Sequence, residues 1–153
     1  KNQLCYKIVR FFNIYGPKQK KLFVIPKFID LAKKNKLLTL YGSGKQVRSF
    51  CFVDDGAEGF RIAGERGQNG QIYHLGQTHE VSIADLILNI GRVLGVELIL
   101  KPGPLREGGT RRRCPDVTKL ESLGYKAKID LNDGLRTTVN WYADTFMARR
   151  TGG

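Results

Sequence analysis

The sequence contains no run of apolar residues long enough to cross a membrane, since a spanning helix needs about 18 or more of them. Its first ten residues, KNQLCYKIVR, also lack the order of basic, apolar and small residues that marks a secretory signal peptide. These two absences favour a cytoplasmic location and predict no association with a membrane.

Cysteine and histidine are both scarce, which limits disulfide and metal chemistry. The cysteines are Cys5, Cys51 and Cys114, and no pair of them has CxxC spacing. An odd number of widely separated cysteines is typical of reduced thiols rather than of a disulfide framework. Cys51 is interpreted as a small buried hydrophobic residue. With His74 and His79 as the only histidines, no cluster of metal ligands is visible, and we expect no metal site.

Acidic residues are outnumbered by basic ones, 14 to 26, so the formal net charge at pH 7 is +12. A charge of this size is compatible with a polyanionic partner. The basic residues are nevertheless dispersed along the chain, and no known nucleic-acid motif accompanies them. Most of them are therefore expected on solvated faces, and nucleic acid is disfavoured as a partner.

The apolar pattern indicates alternating strands and helices. With 41% hydrophobic residues, the chain can form the core of one domain or of one piece of a larger domain. The run KIVRFFNIY suits a parallel strand buried on both faces. Strands are predicted at 6–15, 37–41, 47–53, 71–75 and 96–100. Helices are predicted from Pro26, over Gly56–Arg66, from Ser82 to Gly95, after Asp116 to about Gly124, and from Asn132 onward. This alternation predicts an α/β fold.

Residues 40–55, LYGSGKQVRSFCFVDD, carry the clearest candidate for chemistry. A glycine turn at Gly42 and Gly44 allows the backbone to approach a ligand closely, and Arg48 follows it among apolar residues. A guanidinium group at this place can bind phosphate oxygens in a forked geometry. The alternative is a β-hairpin with a solvated arginine at its mouth, and the pattern alone favours that alternative.

Six motifs occur in one order along the chain: RFFNIYGP, VIPKFI, LTLYGSGKQVRSFCFVDD, YHLG, LREGGTRRRCPDVTKL and LGYKAKIDLNDGLRTTVNWY. Together they resemble the C-terminal half of an extended short-chain dehydrogenase/reductase, and more closely an NAD-dependent nucleotide-sugar epimerase or dehydratase. The resemblance implies a Rossmann-type α/β fold. In such a fold the last parallel strands, about residues 5–15 and 70–76, interleave with a small substrate-binding domain of about residues 16–69 and 77–148.

Two elements of the family are absent from this sequence: the glycine-rich dinucleotide loop and the Tyr-x-x-x-Lys pair of the acid/base. The residues four positions after Tyr6 and Tyr15 are arginine and glutamine rather than lysine. In the family both elements precede the RFFN strand, so the chain resembles a piece of a longer enzyme without its cofactor-binding half. The resemblance implies a homodimeric parent enzyme that uses NAD for transient hydride transfer, and a fragment that has no catalytic residue and is inactive alone.

The resemblance also implies substrate-binding residues. The matching positions are Asn13 for the phosphate–sugar portion, Thr39 and Tyr41 for the nucleobase, Arg48 and Arg106 for the diphosphate of a nucleotide sugar, and Phe12 beside the nicotinamide. Two guanidinium groups around a diphosphate would give charge-assisted, bidentate bonds. Gly109 stands where the family often has an aspartate that touches the ribose, which leaves Glu107 or backbone groups for that contact.

Each of these assignments has a structural alternative. Asn13 could end a strand as an Asx turn, Tyr41 could belong to the core, and Arg106 could be one exposed charge among several. Asp54 and Asp55 are interpreted as a helix cap. A second class of function also stays open, a non-catalytic module that binds a nucleotide or a partner. The sequence does not choose among epimerase, dehydratase and decarboxylase, nor among bases and sugars.

Overall fold

The computed structural model describes residues 4–34, 38–98, 100–104 and 110–148. Its elements are β1 (Ile8–Phe11), β2 (Ile14–Tyr15), α1 (Val24–Lys33), β3 (Leu38–Tyr41), β4 (Val47–Ser49), β5 (Cys51–Phe52), α2 (Val53–Arg66), β6 (Ile72–Leu75), β7 (Glu80–Ser82), α3 (Ile83–Leu94), β8 (Leu100–Gly103), β9 (Arg112–Arg113), α4 (Thr118–Glu121) and α5 (Leu131–Ala148). The mixture of strands and helices confirms the predicted α/β class.

Most of the described strands pair in parallel. β1 pairs with β6, β2 with β5 and β3 with β8. β4 lies between β7, to which it is antiparallel, and β9, to which it is parallel. Long connections that contain at least one helix join the two strands of each parallel pair, as parallel pairing requires.

The run predicted as one strand at 6–15 is divided at Asn13. The φ angle of Asn13 is +43°, a left-handed conformation that asparagine adopts more easily than most residues. On either side of this break the chain has different partners, because β1 pairs with β6 whereas β2 pairs with β5. The break therefore moves the chain from one parallel pair to the next.

The glycine turn after β3 does not form the hairpin that the sequence favoured. β3 and β4 belong to different sheets, β3 beside β8 and β4 between β7 and β9. Gly42 and Gly44 have φ angles of +67° and +69°. A Cβ on Gly44 would lie 2.6 Å from a side-chain carbon of Leu40, so the turn needs glycine for both conformation and space. The turn directs β4 away from β3.

Two other predicted boundaries shift. The strand expected at 47–53 divides at Phe50 into β4 and β5, and α2 starts at once with Val53. Its N-cap is Phe52, which offers no side-chain hydrogen bond, so Asp54 and Asp55 are first-turn residues and not caps. The strand expected at 96–100 is β8 at Leu100–Gly103, where a proline is tolerated because β8 pairs on one side with β3.

Helix α3 has the limits that its local signals predicted. Ser82 is the N-cap, and its Oγ accepts a hydrogen bond from the backbone N–H of Asp85 at 3.0 Å. Gly95 ends the helix in the left-handed conformation, with φ +66°. The apolar face of α3 buries Leu86, Ile87 and Ile90 completely. The Ser82 cap and the terminal glycine are thus confirmed, and the Asp85 carboxylate accepts a hydrogen bond from the Ser82 hydroxyl at 2.6 Å.

The buried apolar residues form two clusters. The larger cluster joins α1, α3 and α5 to the strands around Tyr15, Phe50 and Phe52. The smaller one joins α2, β6 and α4 and contains Cys51 and Tyr125. Cys51 is 1% exposed, which confirms its interpretation as a buried small residue.

The first strand is much more exposed than expected. Ile8 and Phe11 of β1 are 44% and 53% exposed, although the sequence predicted a strand buried on both faces. Among the described residues, β1 has one strand neighbour, β6, and no strand pairs with its other edge. The apolar surface extends to Leu4, Tyr6, Phe60 and Ile72. Over the described parts of the chain, no helix has the length and apolar character that a membrane crossing would need.

Candidate functional site

Asn13 lies where β1 ends, and its backbone and side chain both bind the segment that contains Arg48. Its Nδ2 donates a hydrogen bond to the carbonyl oxygen of Ser49 at 2.8 Å. Its own carbonyl oxygen accepts a hydrogen bond from the N–H of Cys51 at 3.2 Å. Asn13 thus follows a strand, as the sequence indicated. Its side chain is anchored to the end of β4 and does not close a local Asx turn.

A cleft of about 350 Å³ opens beside Asn13. It is lined by Phe11, Asn13, Ile14, Tyr15, Gln19, Phe23, Val24, Ile25 and Phe50. The lining comes from the ends of β1 and β2 and from the first turn of α1. A mostly apolar cleft with a few polar groups is typical of a small-molecule site.

Gln19 is a residue of this cleft that the sequence analysis missed. Its Nε2 donates to the carbonyl oxygen of Ile14 at 2.8 Å, whereas its Oε1 is buried and has no hydrogen-bond partner within the described residues. A buried acceptor without a donor is costly, so a ligand hydroxyl or N–H group that reached it would be bound favourably. Sequence analysis considered Gln19 only as the residue four positions after Tyr15, and no periodic signal marked it as a site residue.

Phe12 lies at the carboxyl ends of β1 and β6. Its N–H donates to the carbonyl oxygen of Leu75 at 2.9 Å, and its ring centroid lies 5.2 Å from that of His74. The adjacent Gly76 allows a close approach, because a Cβ there would be 3.1 Å from the Cβ of Phe12 and 2.9 Å from Cγ of Pro115. Ligands of open parallel sheets bind at the carboxyl ends of the strands, which is where Phe12 is placed.

Arg48 is half-buried in the central strand of its sheet and is not a solvated residue at a hairpin mouth. Its Nη1 donates to the carbonyl oxygen of Val47 and its Nη2 to that of Thr110, each at 2.7 Å. Nη1 also lies 3.4 Å from the carbonyl oxygen of Arg111. Burial, and secondarily the charge of Arg113, lower the pKa of Arg48 from its ordinary value. The guanidinium group thus binds the carbonyl groups of residues 110 and 111, the first described residues after 105–109.

The remaining expected substrate residues are only partly covered by the structure. Thr39 and Tyr41 belong to β3, where they pair with Lys101 and Gly103, but the positions of their side chains lie outside the description. Arg106, Glu107 and Gly109 fall in 105–109, also outside the described residues. The described ends of that segment are β8, beside β3, and Thr110, beside Arg48. The described residues on either side of 105–109 thus lie beside β3 and beside Arg48.

Buried titratable side chains near the cleft are not suited to acid/base or nucleophilic chemistry. Burial raises the pKa of the Cys51 thiol to about 11, so it stays protonated at neutral pH. Burial also raises the pKa values of the Tyr15 and Tyr125 phenols well above their ordinary values. The Tyr125 hydroxyl donates to the carbonyl oxygen of Gly76 at 3.0 Å, which is a structural contact. In the described ranges, no group of three His, Cys, Asp or Glu residues could hold a metal ion.

Asp55 has a long-range structural contact that the sequence did not reveal. Its side chain accepts hydrogen bonds from the backbone N–H groups of Lys128 and Ile129, at 3.0 Å and 2.9 Å. The residue is 6% exposed. It thus fastens the first turn of α2 to the segment that leads into α5, and the interpretation as a helix cap is wrong.

Comparison with known proteins identifies the family. Residues 1–76 match the family described as NAD dependent epimerase/dehydratase. A trifunctional UDP-glucose 4,6-dehydratase/UDP-4-keto-6-deoxy-D-glucose 3,5-epimerase/UDP-4-keto-L-rhamnose-reductase of Arabidopsis thaliana is 33% identical over 134 residues. The match covers 86% of this chain and 20% of that protein.

Solved structures give the same result. The dTDP-glucose 4,6-dehydratase of Streptomyces venezuelae, solved with NAD bound, superimposes with a TM-score of 0.87 and 32% identity, over 93% of this chain and 45% of that one. The UDP-glucuronic acid 4-epimerase of Bacillus cereus, in complex with UDP-glucuronic acid and NAD, gives a TM-score of 0.85 and 26% identity, over 90% and 45%. The chain thus spans less than half the length of these proteins.

Proposed function

Because the chain belongs to the NAD-dependent epimerase/dehydratase family, we propose that it is the substrate-binding portion of an enzyme that acts on a nucleotide sugar. The observation that carries the proposal is the attachment of two expected ligand residues to one strand. Asn13 binds the carbonyl oxygen of Ser49, and Arg48 is the preceding residue of β4. Asn13, a polar residue of the 350 Å³ cleft, is thereby bound to the residue that directly follows Arg48 in β4.

In this proposal the chain contributes to two domains of the enzyme. Residues 5–15 and 70–76 supply the last parallel strands of the cofactor-binding sheet, and 16–69 and 77–148 build the substrate-binding domain. The parallel register of β1 with β6, from Ile8 beside Ile72 to Phe11 beside Leu75, supports the first part. The exposed apolar surface of β1 also supports it, since such a strand is buried when its sheet is complete.

The ligand groups are assigned as follows. Asn13 orients the phosphate–sugar portion, Arg48 and Arg106 bind the diphosphate, and Thr39 and Tyr41 contact the nucleobase. Bound NAD would supply transient hydride chemistry, in which the carbon that bears a sugar hydroxyl group loses a hydride and the hydroxyl group loses a proton. The carboxyl ends of β1 and β6, with Phe12 and the close approach at Gly76, would hold one side of its nicotinamide. The residues of this chain would bind and orient the substrate, whereas acid/base chemistry would belong to the rest of the enzyme.

Replacing Arg48 should weaken substrate binding without unfolding the protein. A charge-assisted hydrogen bond contributes about 1.5–3 kcal/mol, so Arg48→Ala in the full-length enzyme should weaken nucleotide-sugar binding by about 10- to 100-fold. Arg48→Lys should recover only part of this loss, because an ammonium group cannot bind two oxygens in a forked geometry. Stability should change little, because Thr110 and Arg111 are exposed residues, so water can replace the guanidinium group there.

Calorimetric titration of UDP and dTDP into the wild type and the two variants measures this effect. Arg61→Ala is the control for loss of one positive charge, since Arg61 lies on the exposed side of α2 and pairs with Glu58 and Glu65. If the wild type binds and all variants bind equally well, Arg48 is not part of the site.

The 153 residues expressed alone should neither bind NAD tightly nor convert any nucleotide sugar. The reason is that the sequence contains neither the glycine-rich pyrophosphate loop nor the Tyr-x-x-x-Lys pair. The measurement is NAD binding by fluorescence and turnover of UDP- and dTDP-sugars, with the full-length enzyme as the positive control. Robust turnover by the purified 153-residue chain would refute the proposal that acid/base chemistry lies elsewhere.

A further inference from the structure

The backbone at the carboxyl end of β6 is held by a side chain from a distant part of the chain. Gly76 directly follows β6, and its carbonyl oxygen accepts a hydrogen bond from the Tyr125 hydroxyl at 3.0 Å. Tyr125 lies between α4 and α5 and is 3% exposed. The segment after α4 thus fixes the orientation of the peptide group between Gly76 and Gln77, just beyond β6.

Gly76 in turn packs directly against Phe12. A Cβ on Gly76 would lie 3.1 Å from the Cβ of Phe12 and 2.9 Å from Cγ of Pro115, so the backbone there has no room to move towards either residue. The N–H group of Phe12 also donates to the carbonyl oxygen of the preceding residue, Leu75, at 2.9 Å. A shift of the Gly76 backbone would therefore displace Phe12.

Tyr125 is itself closely packed. Its ring lies against Gly59 of α2, where a Cβ would be 2.8 Å from Cε2 of Tyr125. Its hydroxyl oxygen lies 3.6 Å from Sγ of Cys51. Burial raises the pKa of the phenol, so the hydroxyl group keeps its proton at neutral pH and remains a donor to Gly76. The position of this donor is set by packing against α2.

We propose that Tyr125 is a positioning residue for the nicotinamide side of the site, which acts through Gly76 on Phe12. This proposal rests on the proposed function, in which Phe12 lies beside the nicotinamide of NAD. Without the Tyr125 hydroxyl group, the carbonyl oxygen of Gly76 loses its buried partner, and the peptide group is free to turn towards water. Phe12 is then held less firmly where the nicotinamide binds, whereas Arg48 in β4 keeps its own contacts.

Tyr73 provides a matched control. It belongs to β6 and is 1% exposed, and its hydroxyl accepts a hydrogen bond from the N–H of Gln68 at 2.9 Å. Tyr73 and Tyr125 are both members of the smaller apolar cluster. Replacement of either by phenylalanine removes one hydroxyl group and its hydrogen bond to the backbone. The two bonds differ in place, because Gln68 precedes β6 whereas Gly76 follows it.

The test measures the binding of NADH and of ADP-ribose, which lacks the nicotinamide, to full-length protein freed of bound nucleotide. Tyr125→Phe should weaken NADH binding about 5-fold, the effect of one ordinary hydrogen bond, and leave ADP-ribose binding unchanged. It should also alter the fluorescence of bound NADH, which reports the surroundings of the nicotinamide. Tyr73→Phe should match the wild type in all three measurements.

A second variant tests the same contact without changing Tyr125. The added Cβ of Gly76→Ala would press on Phe12, so this variant should also weaken NADH binding and leave ADP-ribose binding unchanged. If Gly76→Ala binds NADH as well as the wild type does, the route through Phe12 is refuted. Thermal unfolding of the two phenylalanine variants controls for folding, and their midpoints should be similar because each loses one buried hydroxyl group.

The remaining outcomes separate this inference from the function on which it rests. If the wild type binds neither NADH nor ADP-ribose, the proposed function fails, and this inference with it. If the wild type binds both ligands but Tyr125→Phe and Tyr73→Phe bind NADH equally well, the inference fails while the proposed function stands. Equal losses for NADH and ADP-ribose in Tyr125→Phe would show a general effect on the fold and would overturn the positioning role.

Discussion

Asp55→Ala should lower the free energy of unfolding of the full-length protein by about 3 kcal/mol, because it removes a buried carboxylate that accepts hydrogen bonds from two backbone N–H groups. The donors, Lys128 and Ile129, belong to the segment just before α5. Hydrogen bonds to a charged acceptor contribute about 1.5–3 kcal/mol each, and truncation leaves the donors unpaired. Alanine cannot replace the acceptor, and at 6% exposure of Asp55 water has little access.

The position of Asp55 in α2 adds to this effect. The carboxylate lies in the first turn, where the helix dipole and the unpaired N–H groups favour negative charge. The side chain therefore stabilises the start of α2 and at the same time joins α2 to the entry of α5. Loss of this connection should loosen the start of α2 and the segment that leads into α5.

Urea denaturation of Asp55→Ala, Asp55→Asn and Asp54→Ala measures the contribution. Asp54 is the control, because it lies in the same first turn but is exposed. Asp55→Asn keeps one acceptor oxygen without the charge, so its loss should be intermediate. If Asp54→Ala and Asp55→Ala are destabilised to the same degree, the hydrogen bonds to Lys128 and Ile129 contribute nothing specific.

Helix α3 shows which part of the fold is encoded locally. Ser82, Asp85 and Gly95 each act within a few residues of their own position, through a side-chain cap and a left-handed terminal residue. Such signals do not depend on the rest of the chain. The sequence was therefore sufficient to predict both ends of α3.

Strand pairing shows which part is not encoded locally. The glycine turn between β3 and β4 is compatible with a hairpin, but β3 pairs with β8, which is about sixty residues away along the chain. The choice of partner depends on packing of the whole domain, which no local pattern contains. The division of the first strand at Asn13 also depends on distant partners, because β1 and β2 on either side of Asn13 belong to two different parallel pairs.

For the candidate site, too, some features could be predicted from the sequence and others could not. The resemblance to a family predicts Asn13 and Arg48 as site residues, because the order of motifs can be read without knowledge of the contacts. The contacts themselves were not predictable: the Arg48 guanidinium group binds Thr110, 62 residues away, and Asn13 binds Ser49, 36 residues away. Gln19 was missed because a single buried oxygen at a cleft leaves no pattern in the sequence.

Gly134→Ala should destabilise the full-length protein by about 3 kcal/mol, although alanine is the better helix former by about 1 kcal/mol. Gly134 lies in the first turns of α5, and a Cβ there would overlap the hydroxyl oxygen of Tyr15 and lie 2.9 Å from Cδ2 of Phe52. Tyr15 cannot move away cheaply. It is 2% exposed, its hydroxyl donates to the carbonyl oxygen of Leu131 at 3.3 Å, and its ring packs edge-on against Phe52.

The chain offers a matched control for this substitution in Gly64. It also lies within a helix, α2, but a Cβ there would meet nothing within 4 Å. Gly64→Ala should therefore stabilise the protein by about 1 kcal/mol, so the same substitution has opposite signs at the two positions. Tyr15→Phe in the Gly134→Ala background removes the overlapping hydroxyl and should recover part of the loss, which a double-mutant cycle of urea unfolding would measure. Stabilisation by alanine at both positions would show that α5 does not pack closely against Tyr15. The position of the Tyr15 side chain, which lines the cleft beside Asn13, would then not depend on α5.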